Sequence, residues 1–166
     1  MKDELVKQIP SLAAKYAKFA DYKEQTIEDI FPAEVLQRSI KLNARIMESC
    51  TMINTGKGSF KLICLPMEAQ FSPVYAIAAT DFDHDGICDI IIGGNQYLAK
   101  PQTGIYDAGY GLFLKGTSNG IFKPIAPLQS GFFIKGEIRD LRILNLNKER
   151  IIVVARNNDN LQFYKY

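Results

Sequence analysis

Between two apolar stretches, Ala76-Ile77-Ala78-Ala79-Thr80 and Ile90-Ile91-Ile92-Gly93-Gly94-Asn95, the chain carries the run Asp81-Phe82-Asp83-His84-Asp85-Gly86-Ile87-Cys88-Asp89. Its carboxylates stand at positions 1, 3, 5 and 9 and its glycine at position 6. Hard oxygen donors converging in this way suit calcium better than softer metals. Acids this close repel one another unless a cation lies between them. Gly86 supplies the left-handed backbone that a tight turn needs. The expected ligands are one oxygen each from Asp81, Asp83 and Asp85, the backbone carbonyl of Ile87, and one or two oxygens of Asp89, with water completing the shell. The plainer alternative is a solvated, Asp-rich turn between strands.

The loop is not an EF-hand. That motif needs a bidentate acid at position 12 and a helix on either side. Position 12 here is Ile92, and both flanks have the composition of short strands. The same gap excludes a dockerin.

Other reactive residues form no constellation. His84 is the single histidine and falls at loop position 4, where its ring is expected to face solvent. Glu137, Asp140 and Glu149 have no fixed separation and read as exposed turn acids, and Asp159 sits in the polar turn Arg156-Asn157-Asn158-Asp159-Asn160. There is no Ser/His/Asp set, Cys/His pair or phosphate-cradling loop. Cys50, Cys64 and Cys88 are odd in number and widely spaced, which indicates neither a disulfide framework nor a zinc site. Each is expected to be a small buried hydrophobe.

What must position the loop is mostly strand. The 166 residues suffice for one domain or somewhat more, and 47% apolar with 23% charged residues is ordinary for a globular chain. A net charge of +2 without a basic stripe excludes a dedicated nucleic-acid surface. No apolar run is long enough to be a transmembrane segment, and the opening Met-Lys-Asp-Glu-Leu-Val-Lys lacks the apolar core of a signal peptide. Residues 1–45 read as a helical segment. Leu5, Ile9, Leu12, Tyr16 and Phe19 recur at helical spacing, with a break at Pro10. Thr26 caps a short helix from Ile27, and Pro32 opens another that runs to about Leu42.

Residues 46–166 contain a repeat at an offset of 62. It carries Thr55-Gly-Lys-Gly58-Ser-Phe60-Lys61 onto Thr117-Ser-Asn-Gly120-Ile-Phe122-Lys123, and Ile90–Asn95 onto Ile152–Asn157. The same ungapped shift places Ile143, Asn145, Asn147, Lys148 and Ile151 on Asp81, Asp83, Asp85, Gly86 and Asp89, so the second loop is expected to bind no metal. One unit then consists of four strands near 75–80, 89–94, 109–115 and 120–126. Two strands (about 47–54 and 59–65) precede it and three follow, the last at 161–166. Short strands repeating at this period mark a propeller blade or a similar radial array.

Asp-x-Asp-x-Asp-Gly-x-x-Asp between apolar strands, followed by a Gly-Phe hairpin, resembles the FG-GAP/VCBS repeat, the blade unit of integrin α-type propellers. Gly104-Ile-Tyr106-Asp107-Ala-Gly-Tyr110, following Ile92-Gly-Gly-Asn95, is also similar to the C-terminal part of bacterial FG-GAP proteins associated with ASPIC/UnbV domains. The resemblance implies a mainly β fold, a partial β-propeller of about two and a quarter blades behind the helical segment. It also implies Ca2+ held by Asp81, Asp83, Asp85, Ile87 and Asp89, and an extracytoplasmic setting (periplasmic, cell-surface or secreted). The expected function is a non-catalytic scaffold or adhesion module. The alternative is part of a polysaccharide-acting enzyme or a carbohydrate-binding module. The connection from Asn95 to Tyr110, with Tyr97, Tyr106 and Tyr110, is the expected face for a protein or glycan ligand. Closed propellers have four to eight blades. An open array leaves an apolar face for missing blades, for a second copy, or for Leu5, Leu12, Tyr16 and Phe19 of the helical segment.

Overall fold

The structure, a computed structural model, describes residues 2–146 and 149–166. It divides into two compact units, Met1–Arg45 and Ile46–Tyr166. The first unit carries α1 (Lys2–Gln8), α2 (Leu12–Lys15), α3 (Ile27–Ile30) and α4 (Ala33–Arg38). Pro10 separates α1 from α2, as its missing N–H requires. Tyr16 is buried, edge-on to Tyr22 at 5.5 Å, and its hydroxyl reaches Gln25 Oε1 at 3.2 Å. The Thr26 N–H and hydroxyl both donate to the Asp29 carboxylate at the start of α3 (2.8 and 2.7 Å), which holds that carboxyl below its ordinary range.

One expectation fails in this unit. The last helix stops at Arg38 rather than near Leu42. Ser39 is extended and turns its hydroxyl back to the Val35 carbonyl (2.7 Å), while Ile40 and Leu42 are exposed. A helix this short, with no surface under its last apolar residues, is not held by propensity alone. Of the four residues expected to share a packing stripe, Leu5 and Leu12 are half-buried and Tyr16 is buried. Phe19 is exposed, with the Lys2 ammonium 5.0 Å above its ring.

The second unit is mainly β. A hairpin of β1 (Cys50–Gly56) and β2 (Ser59–Cys64) precedes a four-stranded antiparallel meander of β3 (Val74–Thr80), β4 (Asp89–Gly94), β5 (Leu112–Gly116) and β6 (Phe122–Ile125). A three-stranded antiparallel sheet of β7 (Ile138–Leu146), β8 (Glu149–Arg156) and β9 (Gln162–Lys165) follows. The described strands form open sheets and no closed barrel. The main core lies between the two larger sheets, where Ala76, Ala78 and Ile91 meet Ile138, Leu141, Ile152 and Val154, with Phe132 and Ile134 from the connecting segment. On the opposite face of the meander, Ile92 and Leu114 pack with Ala69. Strand β4 is therefore covered on both sides, which explains its unbroken apolar run.

Strand pairing contains the repeat. Thr55 Oγ1 donates to the Ser59 carbonyl (2.9 Å), and Thr117 Oγ1 donates to the Ile121 carbonyl (2.8 Å). Gly58 and Gly120 take the matching left-handed turn position (φ 74° and 69°). The β3–β4 and β7–β8 ladders are irregular at the same point, between Val74 and Ala76 in one and between Ile138 and Asp140 in the other. Here the ungapped offset needs revision. Gly94 falls on Arg156, at 62, but its partner Val74 falls on Ile138, at 64. The second hairpin has lost two residues, and its ladder continues to Leu146 opposite Glu149, whereas the first opens after Thr80 opposite Asp89. By this register Asn145 rather than Ile143 corresponds to Asp81. Asn147 and Lys148 lie outside the described residues.

Candidate metal centre

The loop after β3 is held at three points. Phe82 inserts between the sheets, edge-on to Phe113 (5.8 Å) and Tyr166 (4.8 Å). Asp89, fully buried, accepts the Phe82 N–H at one oxygen (3.1 Å) and the Gly116 N–H of β5 at the other (2.8 Å). Asp81 accepts the N–H groups of Asp85 (3.1 Å) and Gly86 (2.9 Å). Both His84 and Gly86 have left-handed backbone (φ 62° and 85°), which wraps the chain around Asp81.

This folding brings carboxylate oxygens of Asp81, Asp83 and Asp89 within 4.8 Å of one another, a set of hard donors that could hold a metal ion. Asp85 is not in that group. One of its oxygens accepts the Ile87 N–H (2.9 Å) and the other faces Lys115 Nζ (2.9 Å). Lys115, on β5, also contacts Asp83, so its ammonium already supplies one positive charge to the acids. The two carboxylates hold the Lys115 ammonium well above its ordinary pKa, and Lys115 in turn holds Asp85 low. The three acids could hold a metal ion, which would share Asp83 with Lys115. His84 is exposed.

The three tyrosines of the long connection keep exposed surface. Tyr110 stacks on Phe133 (4.9 Å, 9° between planes), and the Tyr106 and Gln96 backbones exchange hydrogen bonds at 2.9 and 2.8 Å. Tyr97 donates its N–H to Glu137, and burial pushes its phenol up, helped by the charges of Asp107 and Glu137.

A polar junction that the residue pattern did not announce fixes this connection. Asn95 is buried in left-handed backbone (φ 79°). Its amide donates to the Gly109 and Gly136 carbonyls (2.6 and 2.9 Å) and accepts the Gly109 N–H (2.9 Å). Glu137, expected to be an exposed turn acid, is buried. It accepts from Tyr97 N–H (2.6 Å), Asn157 Nδ2 (2.6 Å) and Arg139 (2.7 Å), which hold its carboxyl low. With both its oxygens engaged by structural donors, it is a pin between sheets and not an acid–base pair with Asp140, which bonds Arg142. The only sequence signal was the alignment of Asn95 with Asn157. Both follow the last residue of a strand and donate their N–H to the carbonyl just before its partner strand, at 3.3 and 2.8 Å.

The cysteines also depart from expectation. Cys64 and Cys88 are exposed and Cys50 is half-buried: Cys50 and Cys64 sit at the open end of the two-stranded hairpin, and Cys88 lies in the loop before β4.

Among the described residues, no helix is long and apolar enough to cross a membrane. No protein-family model matches the chain, nor does any curated protein or solved structure.

Proposed function

We propose that this chain is a calcium-stabilised, non-catalytic fragment of an FG-GAP-type β-propeller, serving as a scaffold or binding module in an extracytoplasmic protein. The observation that carries this reading is the convergence of Asp81, Asp83 and Asp89 at the end of the β3–β4 hairpin. The meander β3-β4-β5-β6 has the strand order of a blade, β1–β2 repeats the β5–β6 register, and β7–β8 repeats the β3–β4 pairing with a hairpin two residues shorter. Asp81, Asp83 and Asp89 would hold the ion. The Ile87 carbonyl and Asp85, which now faces Lys115, would supply further oxygen ligands. Bound calcium would supply charge neutralisation and loop closure. The exposed rings of Tyr97, Tyr106 and Tyr110 form the binding face for protein or glycan.

Extracellular modules bind calcium at about 0.1–1 mM. A hundredfold excess over Kd stabilises the folded form by about 2.7 kcal/mol, a rise in Tm of about 5–10 °C for a domain of this size. Melting in calcium and in chelator measures this directly. The expected result is that rise in the wild type and none in Asp83→Ala. Equal melts in calcium and chelator for the wild type would remove the calcium reading. Binding on a glycan array that Tyr106→Ala abolishes would identify the ligand class.

A further inference from the structure

Cys50 and Cys64 face each other across the β1–β2 hairpin. They are register partners, and their sulfurs are 3.4 Å apart. The neighbouring hydrogen bond defines the kind of pair. The Leu65 N–H donates to the Ser49 carbonyl (3.0 Å), so the next pair along the ladder is a non-hydrogen-bonded one, in which side chains approach most closely. Opposed Cα atoms there lie about 4.5 Å apart, inside the range that a disulfide spans. The backbone on this side is fixed by Gln70. Its amide accepts the Ser49 N–H (2.7 Å) and donates to the carbonyls of Ser49 (3.0 Å) and Leu65 (3.1 Å).

We propose that Cys50 and Cys64 are a modification site, oxidised to a cross-strand disulfide that closes the base of this hairpin. The oxidant class is a small-molecule disulfide. The Cys64 thiolate, on the exposed side, attacks one sulfur of oxidised glutathione and expels a glutathione thiolate. Cys50 then loses its proton and attacks Cys64 Sγ, expelling the second glutathione. Two protein thiols become one disulfide, and one glutathione disulfide becomes two glutathione thiols. Burial and the contact with Cys64 push the Cys50 thiol up, consistent with its acting second. A hairpin of two strands is marginal by itself, so a covalent tie at its open end confines it where few other contacts do. The proposal is independent of calcium, since the hairpin shares no ligand with the acid loop.

The test uses the full chain, treated with oxidised glutathione, alkylated without reductant, digested and weighed. The expected product is a peptide pair linked through Cys50 and Cys64 and lighter by two hydrogens, with Cys88 alkylated and Tm raised by several degrees that reductant reverses. In Cys64→Ser, Cys50 should remain alkylatable or end as a stable glutathione adduct. Recovery of both thiols alkylated in the wild type, a bridge that includes Cys88, or persistent glutathione adducts on Cys50 and Cys64 would overturn the proposal.

Discussion

Asp89 and Gly116 stand 27 residues apart and are joined by a buried hydrogen bond of 2.8 Å from the Gly116 N–H to Asp89 Oδ1. The same carboxylate takes the Phe82 N–H, so one side chain ties the start of the acid loop to the third strand of the sheet. Gly116 permits the approach, because a Cβ there would lie 2.1 Å from the Cys88 carbonyl oxygen.

Asp89 thus has a structural duty that precedes any metal, and this separates it from Asp83. Removing the carboxylate strands two backbone N–H groups at about 1–3 kcal/mol each. Asp89→Ala should lower Tm by about 5–15 °C even in chelator. Asp83→Ala, at an exposed position, should melt like the wild type in chelator and differ only when calcium is added. Equal losses for both variants in chelator would refute the division.

A metal ion at this cluster would compete with Lys115 for Asp83. Lys115→Met removes the internal cation while leaving the stem to pack, so calcium should bind more tightly, by about three- to fivefold, as expected for an exposed ion pair. Isothermal titration at low and high salt checks this. The gain should shrink as salt screens the pair. An unchanged or weakened Kd would mean that Lys115 and the cation do not share a ligand.

Gly93 and Gly94 are packing residues. A Cβ on Gly94 would fall 1.6 Å from the Pro73 carbonyl oxygen, and one on Gly93 would fall 2.6 Å from Ile138 Cδ1. The first obstacle is backbone and the second a side-chain tip. Gly94→Ala should therefore cost the more, about 3 kcal/mol or greater, and Gly93→Ala about 1–3 kcal/mol through local overpacking. Urea denaturation of the two variants ranks them, and the reverse order would contradict this packing.

The strands, the left-handed Gly86 and the acid cluster were legible in the residue pattern because each rests on local chemistry: alternation, turn geometry and donor type. The register of the second hairpin was not. Apolar runs tolerate a two-residue slip, and only the bulge opposite Arg156 and the pairing of Leu146 with Glu149 reveal it. The role of Glu137 was equally hidden, since its three donors come from Tyr97, Arg139 and Asn157 and meet only in the folded chain. Asp85 read as a ligand because position 5 suggests one, and nothing in the residue pattern told that Lys115, 30 positions further along, lies beside it in the folded chain.

Glu137 also gives the chain a pH dependence of known sign. Its side-chain bond from Asn157, then the Tyr97 N–H and the Arg139 charge, hold the carboxyl below its ordinary value near 4.5. A carboxyl lowered on folding binds its proton more readily in the unfolded chain, so its stabilisation is complete above about pH 4.5 and drains away as pH falls through the folded value. Wild-type Tm should hold between pH 5 and 7 and drop below about 4.5. Glu137→Gln keeps the shape but turns an N–H2 toward donors, so it should be less stable by about 2–3 kcal/mol at pH 7. Its disadvantage should narrow as pH falls below about 4.5, where the unfolded wild-type carboxyl takes up a proton that the folded one resists. The other lowered carboxyls, Asp29, Asp85 and Asp140, titrate in both proteins and cancel in the difference. A gap between the two melting curves that stays constant from pH 7 to pH 3 would show that the charge of Glu137 is not what pins Asn157, Arg139 and the Tyr97 backbone together.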